Sequence, residues 1–356
     1  MAVTDTSTVA AEYAALTGHC GLVDRSERGK LALTGLGAIE FLNGQVTNEL
    51  AGLKPGEGRY AAFLTHKGKM LGDVRILAVG EDPDAEPHEL LLDTERVALQ
   101  ALFDMIRRFS VGYDVELHKR TLERSLLSLI GPRAGEVATK AFALDSASGP
   151  AAGTARPSAS EPGWSGPGNG PTGLPVHEHA HLLVSLGETP VHLIRTDVGF
   201  DALLDSSAID SARRALFEAG ATEAGEAAAE IVRVEHGRAR YGIDLDESTI
   251  PQEAGLNERA VSFTKGCYVG QETVARLHYR GKPNRHLRGL RLSEPVEPGA
   301  ELHLGERTVG RLGSSVLSPS FGPVGLALVR REAEPGDTVA VGEHGASALV
   351  SVLPFA

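Results

Sequence analysis

Residues 265–272 read KGCYVGQE and set one of only two cysteines between a lysine and a tyrosine, with glycines close on either side. A thiolate is a nucleophile and a soft-metal ligand. The residues that follow, GQETVARLHYR, favour a helix with Val274 and Leu277 inward at i, i+3, which places Cys267 just before a helix N-terminus. There the unpaired N–H groups and Lys265 would favour the ionised thiol. The competing reading is a small buried hydrophobe, the commoner fate of a lone cysteine; spacing alone favours it for Cys267, and Cys20 is assigned to it.

Two acids and two clusters carry further chemistry. Asp73 ends the stretch THKGKMLGD, read as a loop, and Glu253 sits in IPQEAGL. From the residues alone, either could be a solvated loop charge, the commonest fate of an isolated acid. His177, His179 and His181 would share one face of an extended strand, and three imidazoles could bind zinc. A fourth ligand in reach and the H-E-x-x-H spacing are lacking, so the histidines are read as solvated strand-edge residues and no metal site is assigned. Residues 273–293 carry Arg276, Arg280, Lys282, Arg285, Arg288 and Arg291 without an acid. That run is either a solvated edge or an anion site for a phosphate, RNA or a polyglutamate tail.

These residues need a scaffold, and the pattern is α+β. GKLALTG reads as a strand, and GAIEFLNGQVTNEL as a short amphipathic helix. GRYAAFLTHKGKMLGDVRILAVG is a hairpin, and ELLLDT another strand. ERVALQALFDMIRRF is a helix with Val97, Leu99, Leu102, Met105, Ile106 and Phe109 inward. SLLSLIG leads into a helix opened by Pro132. The segment 145–175, rich in Ser, Ala, Gly and Pro, is expected to be a flexible insertion within a domain. SSAIDSARRALFEAG is a helix capped by Asp210 or Ser211 and stopped by Gly220. EIVRVEHGRARYGIDLDESTIPQEAGL reads as a site-bearing loop. From residue 284 six short strands punctuated by Gly and Pro predict a separate small β-barrel or sandwich.

The chain has 356 residues, room for two or three domains, and a formal net charge of -12. That charge argues against direct nucleic-acid binding by the molecule as a whole. No apolar run is long enough to span a membrane, and the N-terminus lacks the pattern of a secretory signal. With two cysteines, expected to be free thiols, this points to a cytoplasmic protein.

Four stretches together carry a family resemblance: CGLVDRSERGKLALTGLGAIEFLNGQVTNEL, PGEGRYAAFLTHKGKMLGDVRI, RVEHGRARYGIDLDESTIPQEAGL and FTKGCYVGQETVAR. In this order the chain resembles the YgfZ-type folate-binding proteins, relatives of the T-protein (aminomethyltransferase) of the glycine cleavage system. The resemblance runs over nearly the whole chain apart from 145–175, and K-G-C-Y-x-G-Q-E is its YgfZ-specific part. It implies three domains around a central channel that admits tetrahydrofolate, made of a T-protein-like region over 1–283 with two intertwined subdomains and a C-terminal β-barrel over 284–356. The resemblance also implies an accessory role in iron–sulfur cluster assembly or repair, supporting cluster-dependent enzymes that include tRNA-modifying ones. Folate and those enzymes or their assembly factors would be the partners. Cys267 becomes an essential thiol, with Lys265 and Asp73 as further catalytic candidates; Glu253, Arg280, Tyr60 and Asp73 become folate-binding candidates. The T-protein pattern has two adjacent acids where this chain has Gly72-Asp73, which argues against aminomethyl transfer. The alternative is a folate-dependent one-carbon transferase of the T-protein type.

Overall fold

The computed structural model describes residues 6–144, 173–343 and 345–355. The chain runs through α1 (Thr6–Gly18), β1 (Gly21–Asp24), β2 (Gly29–Thr34), α2 (Ala38–Gln45), β3 (Gly58–Leu64), β4 (Met70–Val79), β5 (Glu89–Thr94), α3 (Leu99–Phe109) and β6 (Glu116–Lys119). It continues with β7 (Arg124–Ile130), α4 (Ala134–Ala141), β8 (His181–Leu186), β9 (Thr189–Arg195), β10 (Gly199–Asp205), α5 (Ile209–Ala219), β11 (Thr222–Glu223) and α6 (Glu226–Glu235). Two short helices follow, α7 (Asn257–Ala260) and α8 (Gln271–Arg280). The last strands are β12 (Arg285–Leu292), β13 (Glu301–Leu304), β14 (Arg307–Ser318), β15 (Gly322–Arg330), β16 (Thr338–Val341) and β17 (Ala346–Ser351).

Three sheets organise these elements. One is five-stranded, ordered β3-β4-β5-β2-β6, and a second is six-stranded, ordered β11-β1-β7-β10-β9-β8. Strand β1 precedes the whole first sheet yet pairs with β7 and β11, so the two sheets are interwoven in sequence. The third, β12-β15-β14-β13-β16-β17, closes into a barrel around a core that includes Leu290, Leu302, Leu312 and Val339. The fold is therefore mixed α+β with a closed C-terminal barrel, and all six barrel strands fall where alternation and turn residues put them.

The period of two in each strand decides what faces what. In β4, Val74, Ile76 and Ala78 pack with Leu102 and Ile106 of α3, while Leu77 points the other way. That second face meets the six-stranded sheet through Ala32, Leu77, Leu91, Leu126, Ile194 and Leu203. Asp73 and Arg75 of β4, Asp93 of β5 and Asp201 of β10 share the phase of these contacts, yet they are polar and buried. Asp73 thus belongs to a strand facing the inter-sheet layer, and the loop expected there ends earlier, at the β3–β4 turn.

Several local expectations are corrected. Val97 is exposed because α3 begins beyond it, at Leu99, and Phe109 is exposed at the helix's last position; Leu102, Met105 and Ile106 are the residues turned fully inward. Helix α5 begins at Ile209, led in by a 3₁₀ turn whose cap is Asp205, accepting from the Ser207 N–H at 2.9 Å; Asp210 lies in the first turn, and Gly220 ends the helix at φ 113°. Pro132 precedes α4 by two residues rather than opening it. The expected loop from residue 230 begins as helix α6, which shows no single apolar stripe because it buries Ala228, Ala229, Ile231, Val232 and Val234 on several sides. Of the proposed insertion, 145–172 lie outside the described residues, whereas Leu174 is buried in the core of the six-stranded sheet. No helix among the described residues is long and apolar enough to cross a membrane.

Candidate functional site

The polar end of the inter-sheet layer encloses a cavity of about 200 Å³. Seven arginines and six carboxylates line it in a chain whose net charge is -12, so this wall is locally balanced toward cations. Asp73 is its central acid. The Tyr60 hydroxyl donates to Asp73 Oδ2 at 2.6 Å, and Thr94 Oγ1 donates to the Asp73 backbone carbonyl at 2.6 Å. Burial pushes the Asp73 carboxyl up to about 6; the Tyr60 hydrogen bond and Arg28 oppose this, and Glu95 adds to it. A carboxyl poised near neutrality can both give and take a proton.

The surrounding charges are tied to one another. Arg28 donates to Asp93 at 2.9 Å and pairs with Glu95. Arg75 bridges Asp93 at 3.0 Å and Asp201 at 2.6 Å, and Ser128 donates to Asp201 at 2.6 Å. This ladder links the two sheets and holds Asp93 ionised despite burial, its pKa lowered by Arg28 and Arg75. The Tyr60 ring has the Arg259 guanidinium 5.0 Å from its centroid and the His179 imidazole stacked on it at 5.8 Å.

The structure separates the residues singled out in the sequence. Tyr60 and Asp73 face each other across the cavity wall; Glu253, Arg280, Lys265 and Cys267 lie outside it. Glu253 is buried but already engaged: Arg285 donates to its two oxygens at 3.1 and 2.8 Å, and the Ile250 N–H to one of them at 3.1 Å. That pairing fixes the 246–254 loop to barrel strand β12, and leaves no free carboxylate edge for a ring. Arg280 is exposed in the last turn of α8. The basic run does not form one surface: Arg285 serves Glu253, and Arg291 stacks over Phe321 and Phe355.

Lys265 has a structural task. Its Nζ donates to the carbonyls of Asn43, Val46 and Asn48 at 2.7, 2.9 and 2.7 Å, closing the C-terminal end of α2 where carbonyls lack helical partners. Burial lowers its pKa to about 8. With its three N–H bonds spent on carbonyls, Lys265 has no donor left to turn toward the thiol. Cys267 is exposed four residues before α8, in a loop whose Gly270 takes φ 83°, and a Cβ there would meet the Thr65 carbonyl oxygen at 2.5 Å. The glycine therefore lets the β3–β4 turn dock against this loop. Cys20 is buried, its thiol pushed up to about 12 by burial.

The three histidines do not share a face. His179 adopts φ 72° in a turn that breaks the strand period, and His181 is buried with its Nε2 2.9 Å from the Ala78 carbonyl oxygen. Solvated strand-edge positions are thus ruled out for both. No metal-holding cluster of His, Cys, Asp and Glu occurs among the described residues.

Arg28, Arg75, Asp93, Glu95, Asp201 and Arg259 had not been picked out from the sequence. A signal was present for three of them: Arg75, Asp93 and Asp201 interrupt apolar strands in the phase that otherwise carries Leu77, Leu91 and Leu203. A charge in a buried strand phase needs a partner or a task.

Residues 4–152 match the model of the GCVT N-terminal domain. An aminomethyltransferase of Rubrobacter xylanophilus is 30% identical over 354 residues, 98% of this chain and 86% of that protein. A chloroplastic protein of Arabidopsis thaliana named as a transferase is 27% identical, over 94% of this chain and 71% of its own length. The crystal structure of the glycine cleavage system aminomethyltransferase T from Bartonella henselae shares the fold with a TM-score of 0.79 at 24% identity, covering 98% of this chain and 89% of that one. The chain belongs to the GCVT-domain family and is related to the aminomethyltransferase T-proteins.

Proposed function

We propose that the chain binds a reduced folate, with the pterin beside Tyr60 and Asp73, and that Asp73 takes the proton lost by the folate nitrogen as it bonds the incoming one-carbon group and returns a proton to the departing amine. The observation that supports this reading best is a buried carboxyl held near pKa 6 with one oxygen fixed by Tyr60. A cavity of about 200 Å³ accommodates a ring system but not a whole folate. A neighbouring cleft of about 670 Å³ shares Ile130, Asp197, Val198, Val232 and His236 with it, and gives the remainder of the molecule somewhere to extend. Gly72 does not count against transfer chemistry. A Cβ at 72 would point at Ala98 of the α3 side, 2.8 Å from its Cβ, so a second acid there would face the core rather than the ligand. Titration calorimetry with tetrahydrofolate, beside a coupled assay of methylenetetrahydrofolate formation from an aminomethylated carrier, tests the reading. Binding that Asp73→Asn weakens supports it, and no binding at millimolar ligand overturns it.

A second reading, an accessory role in iron–sulfur cluster maintenance built on Cys267, is favoured by one observation. The thiol is exposed, outside the cavity, and has no packing role to explain a cysteine there. Cys267→Ser would then fold normally and fail to restore cluster-enzyme activity in a deletion strain. Full restoration would remove this reading and leave the first intact.

A further inference from the structure

We propose that His179 is a specificity-determining residue of the cavity, a hydrogen-bond acceptor for an N–H of the bound ring. The proposal rests on the reduced-folate reading of the site and adds a residue to it. Four observations converge on this side chain. It lines the cavity and stacks on Tyr60, the residue that fixes Asp73. Its Nδ1 is buried without a hydrogen-bond partner among the described residues, an arrangement native proteins rarely leave without a use. Its backbone sits at φ 72°, a conformation that residues other than glycine seldom take and that recurs at binding sites. Finally, the sequence makes room for it. A Cβ at Gly58 would lie 2.3 Å from the His179 carbonyl oxygen, and His181 N–H donates to the Gly56 carbonyl at 2.8 Å, so the 177–181 turn is laid along the chain entering β3.

The chemistry of the ring follows from its neighbours. Burial, with Arg75 and Arg259 adding to it, lowers the His179 pKa to about 3, so the imidazole is neutral under ordinary conditions. Its Nε2 faces the Glu178 carboxylate at 3.6 Å, which favours the proton on that nitrogen. Nδ1 is then a lone-pair acceptor without accessible surface of its own, so the bound ring reaches it only when the imidazole turns on its stack with Tyr60. A reduced pterin carries ring N–H and amino donors, whereas the arginines here offer only donors. His179 and Asp73 together select a ligand whose edge donates, and discriminate against one whose edge only accepts.

Two substitutions separate this from a packing role. His179→Gly removes the imidazole while easing the backbone; His179→Asn tolerates φ 72° and keeps an acceptor near the place of Nδ1. Tetrahydrofolate affinity is expected to fall at least about tenfold in His179→Gly, the scale of one buried hydrogen bond, with no fall in melting temperature, and to recover to within about threefold in His179→Asn. In the wild-type chain the assigned imidazole ¹⁵Nδ1 resonance should move on adding tetrahydrofolate, a measurement that needs no variant to fold. Unchanged affinity in His179→Gly, or an unmoved resonance, while Asp73→Asn binds weakly, overturns the role of His179 and leaves the site standing. Wild-type protein that fails to bind tetrahydrofolate overturns both.

Discussion

Asp73→Asn is the perturbation that reads the site most directly, because it should improve stability while abolishing function. The Asp73 carboxyl titrates at about 6 in the folded chain, against 3.8 for an ordinary aspartate. Its folded pKa is raised, so ionisation is harder in the native state than in the unfolded one. Above pH 6 both states are ionised and the native state bears the full cost. At about 1.4 kcal/mol for each pH unit, that cost is ~3 kcal/mol. As pH falls from 6 toward 3.8 the native state takes up the proton first and the cost disappears. Asparagine has the same shape, can still accept from the Tyr60 hydroxyl and carries no charge. Expected from the substitution is therefore a rise in melting temperature of roughly 4 °C at pH 7.5 for a chain of this length, shrinking toward zero near pH 4. Differential scanning calorimetry across pH 4–8 measures this, and folate titration of the same samples should show the accompanying loss. A difference of constant size across the whole pH range would refute the argument, since the effect would then owe nothing to titration.

Lys265→Met should lower stability by about 2–4 kcal/mol, because three carbonyls at the end of α2 lose their donor; denaturant unfolding reads this, and tetrahydrofolate affinity measured on the folded fraction should not change. Glu253→Gln should loosen the 246–254 loop from β12 and cost roughly 1–3 kcal/mol without weakening tetrahydrofolate binding, so a selective loss of affinity would put this acid back in the site. Alkylation of the native protein should modify Cys267 quickly and Cys20 only after unfolding, a difference mass spectrometry resolves; equal rates would mean that the burial of Cys20 is not maintained in solution.

Local rules made much of the architecture legible. Alternating short strands broken by Gly and Pro marked the barrel, and the hairpin of β3 and β4 followed from two apolar runs around a glycine turn. Helix α6 was not legible, because a helix buried on several sides loses the stripe by which helices are recognised. The exposed positions of Val97 and Phe109 were equally hidden, since periodicity fixes spacing but not where a helix begins and ends.

For the site, the sequence by itself determined which side chains could do chemistry and put Tyr60 on a hairpin strand, whereas Asp73, read as the end of a loop, took its place on the paired strand only in the structure. The sequence could not say which charges were already spent. Lys265 turned out to close a helix end and Glu253 to anchor a barrel strand, while Arg28, the neighbouring Asp93 and Glu95, and Arg259 entered the cavity from three separate parts of the chain. Ion pairing and burial are set by distance in three dimensions, and residues as far apart in sequence as Arg75 and Asp201 meet only when two sheets pack face to face. Tertiary structure alone therefore decided which acid is held near neutrality, because desolvation is a property of the assembled layer and not of any segment within it.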